Sequence, residues 1–169
     1  MLKKNVLLAF LFALVTAPVL GMDASELPNP LRNCQIGQWV LYKIQIMGVE
    51  AEQKQSIIAI EGTGDDRFLT MRVEILVEGL VAESEAERVS YKDAVAELRS
   101  AFKDNPDARF ERVTMQVKGQ DVDAVKVSYV DEGIENRIYL SEVVPIVGIV
   151  KLEVESEEGA VMELIDFGD

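Results

Sequence analysis

The sequence predicts an α+β fold that is mostly β: a curved antiparallel sheet of about eight strands, either a half-barrel or a barrel, with one covering helix. Three observations predict it. Stretches such as "WVLYKIQI" and "LTMRVEILV" place apolar residues at every second position, the signature of a half-buried strand. Turns such as "KGQD", "DEG" and "SEEG" separate the later stretches, and strands joined by short turns pair antiparallel. Only one stretch of the chain beyond its apolar N-terminus, residues 91–103, changes to helical spacing.

Residues 1–21 read as a signal peptide. Lys3 and Lys4 precede an unbroken apolar run from Val6 to Val15, Pro18 ends it, and Val19 and Gly21 are small enough for a cleavage site before Met22. The run is shorter than the roughly 20 residues a spanning helix needs, so no integral span is expected after cleavage. Residues 22–32, with Pro28 and Pro30, read as a flexible lead-in, and 33–169 as a single β-rich domain.

Within that domain, Val40, Tyr42, Ile44 and Ile46 define one face of a first strand. "EQKQSIIAIEG" is a second strand, and "GTGDD" is a turn. The third strand has Leu69, Met71, Val73, Ile75 and Val77 on one side. "AESEAERVS" is acidic and reads as a loop or an extended edge, where charge discourages aggregation. Ser90 with Asp93 resembles a capping box. Tyr91, Ala94, Val95, Leu98 and Phe102 then share a helical face until Pro106 stops the helix.

Five strands follow, at about 109–117, 121–130, 134–141, 146–155 and 160–167. "SEVVPIVGIVKLEVE" is the odd one, because Pro145 and Gly148 interrupt an apolar run. Proline cannot donate a ladder hydrogen bond and glycine marks bends, so Ser141 to Ile146 reads as a corner. Trp39, the one tryptophan, is expected to anchor the core.

Composition narrows function. The 169 residues carry 17 Lys and Arg against 30 Asp and Glu, a net charge of −13. Loss of residues 1–21 would remove two lysines and no acid, giving −15. Such a surface repels phosphate backbones, so no nucleic-acid partner is expected. There is no histidine, which removes the commonest general base and the usual triads. The lone Cys34 has no partner in the chain and is expected to be buried as a small hydrophobe.

Apparent motifs reduce to the end of the last strand and to solvated turns. "DFG" at Asp166–Gly168 lacks any accompanying kinase loop. "DVD" and "ESEE" lack calcium-loop spacing. No catalytic residue, metal or cofactor is expected.

"IYLSEVVPIVGIVKLEVE" followed by "VMELIDFG" resembles the end of a loose family of uncharacterised exported bacterial proteins. The matching positions are Ser141, Val144, Pro145, Gly148, Val150, Lys151, Leu164, Phe167 and Gly168. "NPLRNCQIGQWVLYK" resembles their start through Asn29, Pro30, Cys34, Gly37, Trp39, Val40 and Tyr42. Such proteins often carry a second cysteine where this chain has Ala124, so the resemblance implies no internal bridge here. It also implies a half-barrel like that of LolA/LolB-type lipoprotein carriers, and no known activity.

Two functional classes fit. The first is an exported, non-catalytic protein that binds an apolar or lipid-like ligand inside the curved sheet. Its expected ligand-binding residues are Met71, Val73, Ile75, Met115, Ile146 and Ile149 on strands, with Leu98 and Phe102 on the helix. Met47 is a further methionine suited to such a site. The second class is an envelope module that meets another protein. Either would be periplasmic or secreted.

Overall fold

The computed structural model describes residues 27–96, 107–156 and 159–169. The expected signal peptide and residues 22–26 of the lead-in, together with Leu98 and Phe102, lie outside the described residues.

Among the described residues nine strands form one antiparallel sheet. They are β1 (Trp39–Ile46), β2 (Val49–Glu61), β3 (Phe68–Val77), β4 (Leu80–Ser90), β5 (Arg109–Val117), β6 (Gln120–Asp131), β7 (Ile134–Leu140), β8 (Ile149–Glu155) and β9 (Ala160–Gly168). Their order is β4-β3-β2-β1-β9-β8-β7-β6-β5. The sheet is therefore open, with β4 and β5 as its edges. It consists of two meanders, β1–β4 and β5–β9, joined where β1 pairs with β9.

The expectation of about eight strands needs one correction. The acidic stretch after Gly79 is a full strand, β4, paired with β3 from Leu80 to Ser90.

Four hairpins turn on two residues of positive φ, the second always glycine: Met47-Gly48, Glu78-Gly79, Lys118-Gly119 and Glu132-Gly133. Positive φ at both turn residues gives the backbone twist that matches paired strands, and glycine adopts it without steric cost. Met47 is consequently a turn residue exposed to solvent.

The inner face of the sheet follows from the register. Val40, Tyr42 and Ile44 on β1 continue into Ile57, Met71 and Leu69 on one side. On the other they continue into Leu164, Met162, Leu152, Ile138 and Val127. All are buried. Irregularities in the β1–β9, β2–β3, β3–β4 and β7–β8 pairings bend the strands. The β9–β5 half is rolled. Edge strand β5 comes back into contact with β9, although four strand spacings of roughly 4.8 Å would separate them in a flat sheet. Lys118, in the β5–β6 turn, forms an ion pair with Asp166 on β9.

β6 pairs with β7 only from Val125 onward, so Gln120–Ala124 pair with β5 alone. Two-stranded ribbons twist more than sheets. Along this one the buried side changes: Val122 and Ala124 are buried, then Val125, Val127 and Tyr129 on the opposite face. Burial and the neighbouring Asp131 push the Tyr129 phenol up to about 12.

Trp39 departs from expectation. It lies on the outer face, opposite in phase to Val40, and is half-buried. Gly168 packs on its ring, and the Lys54 ammonium sits 5.1 Å from the ring centroid. The core is anchored instead by the fully buried Tyr42, Ile57, Leu69, Ile138, Leu140 and Ile146.

One end of the sheet is closed by three non-strand segments. Residues 91–96 are helical, with Asp93 N–H donating to Ser90 Oγ at 3.3 Å as the cap expected there. Tyr91 is buried, and Ala94 and Val95 are half-buried. Residues 27–34 run alongside and are tied down by Arg67, whose Nη2 donates to the carbonyls of Leu31 at 2.6 Å and Arg32 at 2.9 Å. The Arg67 guanidinium also stacks 4.1 Å from the Tyr91 ring centroid. The third segment is the corner 141–148, where Ser141 N–H donates to the Gly148 carbonyl at 2.8 Å and Ser141 Oγ donates to the Asp123 carbonyl at 2.6 Å.

Cys34 is buried in the second of these segments, and its Sγ donates to the Leu31 carbonyl at 3.2 Å. Burial pushes the thiol up, with Arg67 opposing that shift. Because the thiolate is the reactive form, alkylation of the native protein at pH 8 is expected to be far slower than in denaturant. Cys34→Ser should melt close to the parent, since a hydroxyl can keep the same hydrogen bond. A reducible dimer on a non-reducing gel would refute this assignment.

Candidate functional site

Two regions of the β1–β4 meander differ from an ordinary core and surface. The first is the inner face of β1–β4. One row across it runs Val40, Gln55, Val73, Glu85; the next runs Tyr42, Gln53, Ile75, Glu83. Each row passes from a buried β1 residue, through a buried glutamine and a half-buried aliphatic residue, to an exposed glutamate on the edge. The glutamines share this face because Gln53, Gln55 and Ile57 are in phase along β2.

Tyr42 is 0% and Gln55 1% exposed, yet among the described residues the Tyr42 hydroxyl and both polar atoms of the Gln55 amide have no hydrogen-bond partner. Burial alone pushes the Tyr42 phenol far above its ordinary value. Buried polar groups are nearly always paired; Asn29 Oδ1, Arg67 Nε and Asp166 Oδ1 share this state elsewhere among the described residues, but Tyr42 and Gln55 bring three such atoms together on one face.

The second region is the free edge. β4 is exposed from Leu80 to Arg88. Glu83, Glu85 and Glu87 lie on its inner face, opposite Ile75, Val73 and Met71. Arg88, on the outer face, pairs with Glu61 at 2.9 Å and covers the Phe68 ring at 3.6 Å. At the start of the edge the β1–β2 and β3–β4 hairpin ends expose Met47, Val49, Val77, Leu80 and Val81; Leu80 is 74% exposed.

The expected ligand-binding residues are dispersed over this fold. Met71 and Ile146 are buried. Val73 and Ile75 are half-buried on the inner face beside the edge. Met115 and Ile149 are half-buried in the other meander, Met115 on the twisted β5–β6 ribbon and Ile149 at the start of β8. Of these, the register brings together Met71, Val73 and Ile75.

A surface cleft of about 610 Å3 lies at the closed end, lined by Leu27, Asn29, Arg32, Asp65, Tyr91 and Lys92 among others. Its mixed charges mark no recognisable chemistry. Among the described residues no three His, Cys, Asp or Glu side chains are grouped to hold a metal ion.

No protein-family model matches the chain, and no curated protein does. Solved structures do match it. A Bacteroides fragilis protein assigned as exported, with a YmcC-like fold, superposes with a TM-score of 0.53 at 12% identity, over 85% of this chain and 98% of its own. A protein from Parabacteroides distasonis assigned as a lipoprotein gives 0.51 at 12% identity, over 84% and 97%. MucB, in its complex with MucA from Pseudomonas aeruginosa, gives 0.53 at 11% identity; the chain spans 57% of that MucB chain and is covered over 87% of its own length. At such identities the likeness is one of fold: this chain shares the open antiparallel sheet of those proteins.

Proposed function

We propose that the chain is an exported envelope protein that acts by binding, not catalysis, and that it takes up an extended segment of a partner polypeptide along β4. The observation that carries this is that, among the described residues, β4 is an edge strand of the sheet and is exposed from Leu80 to Arg88. An open strand presents unpaired N–H and C=O groups to a further strand. Its side chains select which one. If two copies paired antiparallel through β4, glutamates would face glutamates, and like charges directly opposite destabilise pairing. A segment with Lys or Arg at every second position would meet Glu85 and Glu87 instead. Its apolar end would cover Leu80 and Val81. The MucB–MucA complex supports this reading, because a protein of similar fold is there joined to a protein partner.

The test uses two synthetic peptides of equal composition, one with lysines at alternate positions and one with them in a block. The alternating peptide is expected to bind at least about tenfold more tightly. Glu85→Lys combined with Glu87→Lys should abolish that preference. Equal binding of both peptides would reduce the interaction to general charge attraction and sink the proposal.

A second reading keeps the apolar or lipid-like ligand, as in carriers of the LolA/LolB type. It is supported by Val73 and Ile75, aliphatic residues that stay only half-buried on the inner face beside the edge.

A further inference from the structure

The orphaned polar groups of the inner face go beyond an apolar pocket. Tyr42 and Gln53 are directly paired across β1 and β2, and Gln55 pairs with Val40 one row away. Tyr42 and Gln55 are thus diagonal neighbours on one face, a distance long side chains span. Together they offer a hydroxyl donor, an amide donor and an amide acceptor, all without partners among the described residues, in side chains at least 99% buried. Burying such groups unpaired is costly, and two aliphatic residues in these positions would avoid the cost.

We propose that Tyr42 and Gln55 bind the neutral polar group of an amphipathic small molecule, an ester or an amide, whose apolar body lies along Val73 and Ile75 toward the β4 edge. The inference deepens the second reading above and rests on it. Charge narrows the ligand. The residues paired across these rows include no Lys or Arg, while the exposed Glu85 ends the row of Gln55 and Val73. A carboxylate or phosphate would be repelled there, whereas a carbonyl can accept from Tyr42 Oη or Gln55 Nε2. An amide N–H can in addition donate to Gln55 Oε1.

The experiment is displacement of the fluorescent apolar probe N-phenylnaphthylamine by methyl decanoate, decanamide and decanoate. For the parent protein the two neutral compounds are expected to displace the probe at concentrations at least about tenfold below decanoate, the scale of discrimination by buried hydrogen bonds. Gln55→Leu and Tyr42→Phe should keep probe binding and lose that preference. Without ligand, each should melt at or above the parent, because an unpaired buried polar group has been removed. If the parent does not bind the probe, the ligand reading fails and this inference with it. If the probe binds but the neutral preference persists in both variants, the ligand reading stands and the assignment of Tyr42 and Gln55 is overturned. Variants that melt well below the parent would also overturn it, since the two groups would then be structural.

Discussion

Gly148→Ala is expected to destabilise the fold by about 3 kcal/mol, from the left-handed backbone and the overpacking together. Gly148 has φ +68°, and a Cβ there would stand 2.6 Å from Pro30 Cγ and 2.8 Å from the Ser141 carbonyl oxygen. Neither neighbour can yield cheaply. The proline ring is rigid and buried, and the segment carrying the Ser141 carbonyl is fixed by the Ser141 N–H bond to Gly148 O and the Ser141 Oγ bond to Asp123 O. The substitution therefore strikes two of the segments that close one end of the sheet. The measurement is the urea midpoint at unchanged slope. A loss below about 1 kcal/mol would mean that the corner relaxes freely and does not hold residues 27–34 in place.

Ile146→Ala carries the second large effect, and it separates core from candidate site. Ile146 is fully buried, and truncation of a buried isoleucine typically costs about 2–5 kcal/mol. It also sits at φ +67°, where a β-branched residue is strained. Alanine relieves part of that strain, so a net loss near 2 kcal/mol is expected, at the low end of the range. Val73→Ala, half-buried on the inner face, should cost well under half as much. Equal losses at the two positions would make Val73 an ordinary core residue and remove support for a ligand beside it.

Much of the sheet was legible because most strands bury one face. Alternation marks β1, β3 and β9 cleanly, and turn residues mark the breaks between β5, β6 and β7. β4 was legible only in part: Glu83, Glu85 and Glu87 alternate as on an extended edge, but an exposed strand buries no face, so "AESEAERVS" could equally be a loop. Trp39 was misassigned although its phase was readable: it alternates against Val40, Tyr42 and Ile44 and so belongs to the outer face. Size was weighed above parity. The Met47-Gly48 turn was missed because methionine is not among the residues that favour positive φ.

The site was less legible than the fold. Met71, Val73 and Ile75 were found together, since one strand carries them. Gln53 and Gln55 were not, although they lie in phase with Ile57. Polar residues in an apolar phase gain meaning only once the register sets them beside Tyr42, and register between strands is not written in any single stretch of sequence.

The pairing of β1 with β9 has a kinetic consequence. Each meander can grow from its own hairpins, whose contacts are local and form early. The bond between the meanders joins the first strand to the last, with Ile46 opposite Ala160 and Trp39 opposite Gly168. Closing so long a loop carries the largest entropic cost in this topology. During synthesis the ninth strand emerges after all the others, so until then the inner edge of β1 stays open, and the nascent chain is two half-sheets without a common interior. Occupying the unpaired side of β1 would be enough to keep the two meanders apart.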